Sequence, residues 1–314
     1  MRTFTRTLML SFSSVLFISH VACSKEENKT PSNFRGISGW STAIQGSSVN
    51  QFATDLDNGG RYSNAKYNIQ ASRSYLWDAQ SSASLALSYS YADYQFTGND
   101  AQSLAGYSPW NKVHSVSLST PLRKGMNEQW SGFLLPYVRF TGESGAQFNE
   151  SLTAGLFAAA TYRFSKNLSI GPGLAVTSQL QDSPSIFPLL LIKWNISDKL
   201  TFNVGNGKIA NQGPGLTLSY QADRKWQYSL GGYYQKLRFR LDENGSTSGG
   251  IGEDSGFPLL ASATYNINPV SKVTFLVGGN LSSELTVENS DGDEVISDSS
   301  DSGVTAGIAF SMRL

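Results

Sequence analysis

The last twelve residues of the sequence, GVTAGIAFSMRL (303–314), alternate without a break. Val304, Ala306, Ile308, Phe310, Met312 and Leu314 share one parity, and Gly303, Thr305, Gly307, Ala309, Ser311 and Arg313 share the other. Successive side chains of a strand point to opposite faces, so this stretch has one apolar face and one small or polar face. A soluble sheet turns such an apolar face inward, whereas a membrane barrel turns it outward to lipid.

The same pattern recurs along the chain. In SSASLALSYSY (81–91) the apolar parity is Ala83, Leu85, Leu87, Tyr89 and Tyr91. In LTAGLFAAATYRF (152–164) it is Leu152, Ala154, Leu156, Ala158, Ala160, Tyr162 and Phe164. Phe257, Leu259, Ala261, Ala263, Tyr265 and Ile267 repeat it, as do Val273, Phe275, Val277, Leu281, Leu285 and Val287. Aromatic residues gather near the ends of these faces, at Tyr162, Phe164, Trp194, Trp226, Tyr228 and Tyr265, as in the girdles of membrane barrels. The opposite faces carry Ser, Thr, Asn and Gly with isolated cations, too little charge for the watery side of a soluble sheet.

The connections agree. Short turns at FSKNLS (164–169), NISDKL (195–200), QADRKW (221–226) and NINPVSK (266–272) alternate with longer loops at 142–150, 179–185, 206–213, 242–256 and 288–303. Bacterial outer-membrane barrels alternate short periplasmic turns with longer extracellular loops. The fold class expected is all-β, an antiparallel up-and-down transmembrane barrel of about fourteen strands, with twelve as the alternative. The strands fall near 36–52, 61–75, 82–96, 111–120, 130–141, 150–164, 168–179, 186–196, 199–206, 214–221, 225–240, 256–267, 272–287 and 303–314. The first two are the least regular, Arg73 interrupting an apolar parity, and 130–141 is apolar on both parities. GVTAGIAFSMRL is then the strand that closes the barrel on the first, and it resembles the terminal assembly signal of such barrels, although Leu314 stands where an aromatic residue is usual.

Residues 1–23 read as an export signal: Arg2 and Arg6 precede the apolar run LMLSFSSVLFI (8–18). Cys23, the single cysteine, is either the last signal residue or a lipidated first residue; ordinary cleavage is the favoured reading. Residues 24–35 form a polar leader and 36–314 the barrel. The 24 basic and 24 acidic residues balance, so no nucleic-acid partner is expected. Beyond the signal no run of apolar residues is long enough for a membrane helix. The expected location is the outer membrane, with lipid, lipopolysaccharide and the barrel-assembly machinery as partners and a small solute as cargo.

Two long stretches carry a family resemblance: GGIGEDSGFPLLASATYNINPVSKVTFLVGGNLSSELTVENSDGDEVISD and, after it, VTAGIAFSMRL. With RFRLDENG before them they resemble an uncharacterised bacterial outer-membrane family, domain of unknown function 6268, over roughly residues 237–314 and more weakly from about residue 130. The resemblance implies an outer-membrane β-barrel and no particular reaction.

Catalytic, cofactor and metal sites are not expected. His114 is followed two residues later by Val116, whereas outer-membrane lipid A deacylases place His and Ser two apart on one strand face; the plain reading is a strand-end histidine. DGDE (291–294) lacks the spacing of a calcium loop and reads as a turn. The inward parity carries Lys66, Arg163, Lys193, Glu284 and Arg313, candidates for the lining of a water-filled lumen. Lys236, Arg238 and Arg240 continue the lipid-facing parity of Trp226, Tyr228, Leu230 and Tyr234 past the hydrocarbon band. They are candidates for contact with lipopolysaccharide phosphates, a bulge that turns them elsewhere being the competing reading. The function expected is a passive porin-like channel or solute-uptake barrel. A non-conducting structural or adhesive barrel is the alternative, and a lipid-modifying enzyme a more distant one.

Overall fold

The computed structural model describes residues 38–100, 103–205, 214–300 and 302–314. The export signal, Cys23, the leader and the loop 206–213 lie outside the described residues. Seventeen strand segments are present among those described. They are β1 (Gly39–Asp55), β2 (Arg61–Leu76), β3 (Ser82–Thr97), β4 (Lys112–Ser119), β5 (Leu122–Gly125), β6 (Trp130–Glu143), β7 (Leu152–Arg163), β8 (Leu168–Gln179) and β9 (Asp182–Asn195). There follow β10 (Leu200–Val204), β11 (Gly215–Gln221), β12 (Trp226–Tyr233), β13 (Gln235–Arg240), β14 (Ile251–Asn268), β15 (Ser271–Glu288), β16 (Glu294–Ser300) and β17 (Gly303–Arg313). A short helix, α1 (Leu104–Tyr107), is capped by the Ser103 hydroxyl, which accepts from Gly106 N.

Three pairs of segments each make one barrel strand. β4 and β5 share the partners β3 and β6 in one register, and the break falls at Pro121, which has no N–H to give the ladder. β12 and β13 share β14, and β16 and β17 share β15. The result is a closed antiparallel barrel of 14 strands. Closure is made by β17 on β1, from Ala43 opposite Arg313 to Gln51 opposite Thr305, which satisfies both edges internally.

The outer face is a belt of large apolar side chains, including Leu85, Leu87, Leu156, Leu190, Leu218, Leu230, Phe275 and Ile308. Exposed side chains of this kind all round a sheet need lipid rather than water. Rings collect at the short-turn end: Trp40–Tyr75, Trp130–Tyr162 and Trp226–Tyr265 have centroids 5.1, 5.1 and 4.9 Å apart. Arg73 belongs to this girdle, its guanidinium 5.1 Å from the Trp40 ring, so its break in the apolar parity is an interfacial contact. The stretch apolar on both parities is resolved: Trp130, Leu134 and Val138 face outward, and Leu135 and Arg139 are buried inward.

The long-loop end departs from the sequence expectation. Residues 251–256 and 294–300, read as loop, are strand, and the loop expected at 179–185 is a turn at 180–181. Bulges interrupt the pairing of β14 with β15 between Gly256 and Pro258, and of β1 with β2 between Gln51 and Thr54. Between these two edges the register of β15 with β16–β17 runs on from Ser271 to Val287, shifting only at Glu288, and that of β17 with β1 is unbroken. Three adjacent strands therefore carry one extra residue together, and their upper halves reverse facing. Leu285 and Val287, expected on the lipid face, are fully buried in the interior as a result.

That interior cluster fills the long-loop end. It joins Tyr62, Tyr94, Leu104, Trp110 and Val113 from one wall to Phe239, Leu241, Leu285 and Val287 from the other. The Phe239 ring stands 5.2 Å from Trp110 and 6.5 Å from Tyr94. Arg240 of β13 also pairs in parallel with Gly142 of β6. The strands holding β13 and β6 are six places apart in the ring of 14, so this bridge crosses the mouth. The extension formed by β13, β16 and the upper parts of β14 and β15 thus leans over the lumen.

Candidate functional site

The space enclosed by a barrel is where a solute would pass, so the inward parity is the candidate site. Much of it is small and polar. Ser74 bonds Ser84 at 2.7 Å, Thr264 bonds Thr274 at 2.9 Å, and Ser229 donates to Ser219 at 3.1 Å, each across a strand pair. Beneath the leaning extension, Ser47, Gln51, Asn64, Lys66, Gln235 and Asn280 line a cavity of about 60 Å³.

Charge is segregated along the axis. At the long-loop end cations meet carboxylates. Lys66 pairs with Asp254 at 2.7 Å, and Tyr94 donates to the same oxygen at 2.6 Å. Arg238 bridges Glu253 and Glu288 at 2.8 and 2.6 Å and donates to the Leu180 carbonyl. Lys236 pairs with Glu253 at 2.5 Å, and Arg240 with Glu150. Lys236, Arg238 and Arg240 hold the outward parity that alternation gives them, yet each meets a carboxylate of its own chain because the extension folds over the mouth. Glu284 is a correction: the extra residue in β15 moves it off the inward parity, where it comes within 3.5 Å of the Ser297 hydroxyl.

At the short-turn end the inward parity carries cations alone. Arg123 is two residues from the end of β5, Arg163 ends β7, Lys193 is two residues from the end of β9, Lys272 is second in β15 and Arg313 ends β17. Arg163 and Lys193 stand on either side of Ser169 in one row. Lys193 is repelled by Arg123 and Arg163, and Lys272 by Arg313. Among the described residues none of the five forms a salt bridge. Alternation had singled out Arg163, Lys193 and Arg313. Arg123 escaped because Pro121 ends the visible alternation before it, and Lys272 because it opens its strand.

Above this ring the lumen wall is apolar over β6 to β9. Leu135, Phe157, Ala175 and Leu191 are buried together, with the half-buried Phe133, Ala159, Phe187 and Leu189 against them. Phe133 and Phe157 are 5.7 Å apart, and Phe133 stands directly opposite Arg123 in the β5–β6 pairing. A smaller patch of Tyr233, Leu260 and Leu276 lies on the opposite wall.

His114 faces the outer rim. Its ring nitrogens lie 2.9 Å from the Tyr89 hydroxyl and 2.9 Å from the Ser144 hydroxyl. Ser144 lies outside any two-residue spacing along β4 and reaches the histidine from the next strand's loop. No carboxylate completes the chain of bonds among the described residues. The DGDE segment forms a turn in which the Asn289 side chain accepts from Asp291 N and Asp293 N. Gly292 there has φ +87°, a left-handed conformation that favours glycine. No cluster of metal-ligating side chains occurs among the described residues.

Several solved barrels are similar in fold. An outer-membrane channel from Pseudomonas putida F1 is 11% identical, with 91% of this chain and 100% of that chain covered and a TM-score of 0.45. A Pseudomonas aeruginosa FadL homologue is 10% identical, covering 87% and 89%, with a TM-score of 0.43. The P. putida toluene transporter TodX is 8% identical, covering 88% and 90%, with a TM-score of 0.42. No curated protein matches the sequence. The model of one family, described as a domain of unknown function (DUF6268), matches residues 64–314, most of the barrel, and the chain belongs to that family.

Proposed function

We propose that this barrel is a passive solute channel of the outer membrane, gated at its extracellular end by the leaning extension. The observation that carries the reading is the ring of inward cations that form no salt bridge among the described residues. Arg163, Lys193 and Lys272 are exposed on the inward parity, where water solvates their charge, so the short-turn half of the lumen is wet. By the loop-length rule that half opens to the periplasm. The bond from Arg238 to the Leu180 carbonyl and the Arg240 pair with Glu150 tie the extension to the far rim and set how often the other end opens.

The test is conductance of the purified full chain in planar bilayers. Discrete current steps are expected, and Arg238→Gln is expected to raise the open fraction. The packed cluster over the mouth favours a second reading, a non-conducting envelope barrel. Absence of current from both the natural chain and the Arg238→Gln variant would establish that alternative and overturn the first.

A further inference from the structure

Resting on the channel reading, we infer that the lumen takes amphipathic organic anions, a carboxylate on an aromatic or branched apolar body. Arg123, Arg163 and Lys193 come from β5, β7 and β9, and each repels the others. Asp78 of the β2–β3 turn attracts Arg123 without forming a salt bridge, and Lys193 meets only the two arginines, so the trio stays net positive and a mobile anion relieves the repulsion. The guanidinium fork suits a carboxylate, and Lys193 adds a point charge.

The apolar wall begins where the cations end. Leu191 and Leu189 follow Lys193 along the inward face of β9, at roughly 7 Å per inward step. Phe133 is the direct cross-strand neighbour of Arg123, and the half-buried Phe133, Phe187 and Leu189 turn apolar surface to the lumen. A molecule with its carboxylate on the cation trio lays its body along this wall. The opposite wall repeats the order on a smaller scale, with Lys272 and Arg313 beneath Leu276, Leu260 and Tyr233. Neutral apolar solutes forgo the cations, and small inorganic anions forgo the wall.

The test uses benzoate, with benzyl alcohol as the ring without charge and acetate as the charge without the ring. Titration calorimetry on the detergent-purified full chain is expected to give benzoate affinity about tenfold above either control. In a variant combining Arg123→Gln, Arg163→Gln and Lys193→Gln, the benzoate advantage is expected to vanish while heat-resistant gel mobility reports a folded barrel. If that variant does not fold, Lys193→Gln alone is expected to weaken benzoate about threefold. Equal binding of benzoate and benzyl alcohol, or of benzoate and acetate, overturns the inference. Bilayer current measured in parallel separates the two readings. Current without a benzoate preference leaves the channel and removes the anion site. Benzoate preference without current leaves the anion site and removes the channel.

Discussion

The Lys66 ammonium lies 2.7 Å from the Asp254 carboxylate, joining β2 to β14 inside the lumen across the strands formed by β1, β16–β17 and β15. The Tyr94 hydroxyl of β3 donates to the same carboxylate oxygen, so one buried acid ties the leaning extension to the opposite wall. Asp254 is 2% exposed. Removing its charge strands the lysine in a poorly solvated place. Asp254→Ala is expected to cost about 3–5 kcal/mol, and adding Lys66→Met is expected to restore more than half, since the uncompensated charge goes with it. Urea unfolding from lipid vesicles, followed by tryptophan fluorescence, reads both. A double variant no more stable than the single one would show that the pair is not the tie.

The lipid belt gives a contrast between faces. Leu230 is 52% exposed on the outer face, opposite Leu218, while the half-buried Gln227 faces the lumen on the same strand. Leu230→Arg is expected to cost about 2–4 kcal/mol, as for cations placed at the bilayer midplane. Gln227→Arg, whose charge reaches lumen water, is expected to cost less than about 1 kcal/mol. Folding yield into vesicles and urea midpoints check the pair. Equal costs would contradict the assignment of faces.

A third expectation concerns pH. Asp223, in the short turn 222–225, accepts the amide protons of Lys225 at 2.7 Å and Trp226 at 2.9 Å. The bond from Trp226 and then that from Lys225 hold its carboxyl below the ordinary carboxylate range. Its stabilising contribution is therefore complete above the unfolded value of about 3.9 and fades as the pH falls through the lower folded value. Carboxyl carbon NMR in micelles is expected to give a midpoint below about 3.9 for Asp223. Asp223→Asn keeps an acceptor for the turn and is expected to remove this part of the acid sensitivity. A midpoint at or above the unfolded value would refute the account.

Much of the fold was legible because lipid imposes one rule on the whole outer face. Every strand must present apolar side chains there, so Leu85, Leu87, Leu156 and Ile308 announce themselves by parity. The closing strand was legible for the same reason. Parity failed where the inside is apolar too: Phe133 and Leu135 build a lumen wall, so alternation between the faces of β6 disappears. It failed again at the long-loop end, where no lipid rule applies and a shared extra residue reverses three strands without any mark in the spacing of Leu281, Leu285 and Val287. The cation ring lay partly in view because single charges on an inward parity stand out. Its completeness needed the register across Pro121, and the contacts of Lys236, Arg238 and Arg240 needed the crossing of the mouth.

Leu281 and Leu285 test that reversal directly. They share a parity four residues apart, and simple alternation gives them the same environment. In the structure Leu281 is 62% exposed on the outer face and Leu285 is 0% exposed, packed in the cluster with Phe239, Tyr94 and Val287. Truncating a leucine that meets lipid removes contacts that lipid tails replace, so Leu281→Ala is expected to cost less than about 1 kcal/mol. Truncating Leu285 leaves a cavity that the rings around it cannot close, and Leu285→Ala is expected to cost about 2–5 kcal/mol. The loss should also loosen the extension, raising hydrogen exchange at the amides of 235–240 while the amides of β7 stay protected. Similar costs for Leu281→Ala and Leu285→Ala, or a Leu285→Ala variant whose exchange at 235–240 is unchanged, would mean that the upper half of β15 does not reverse.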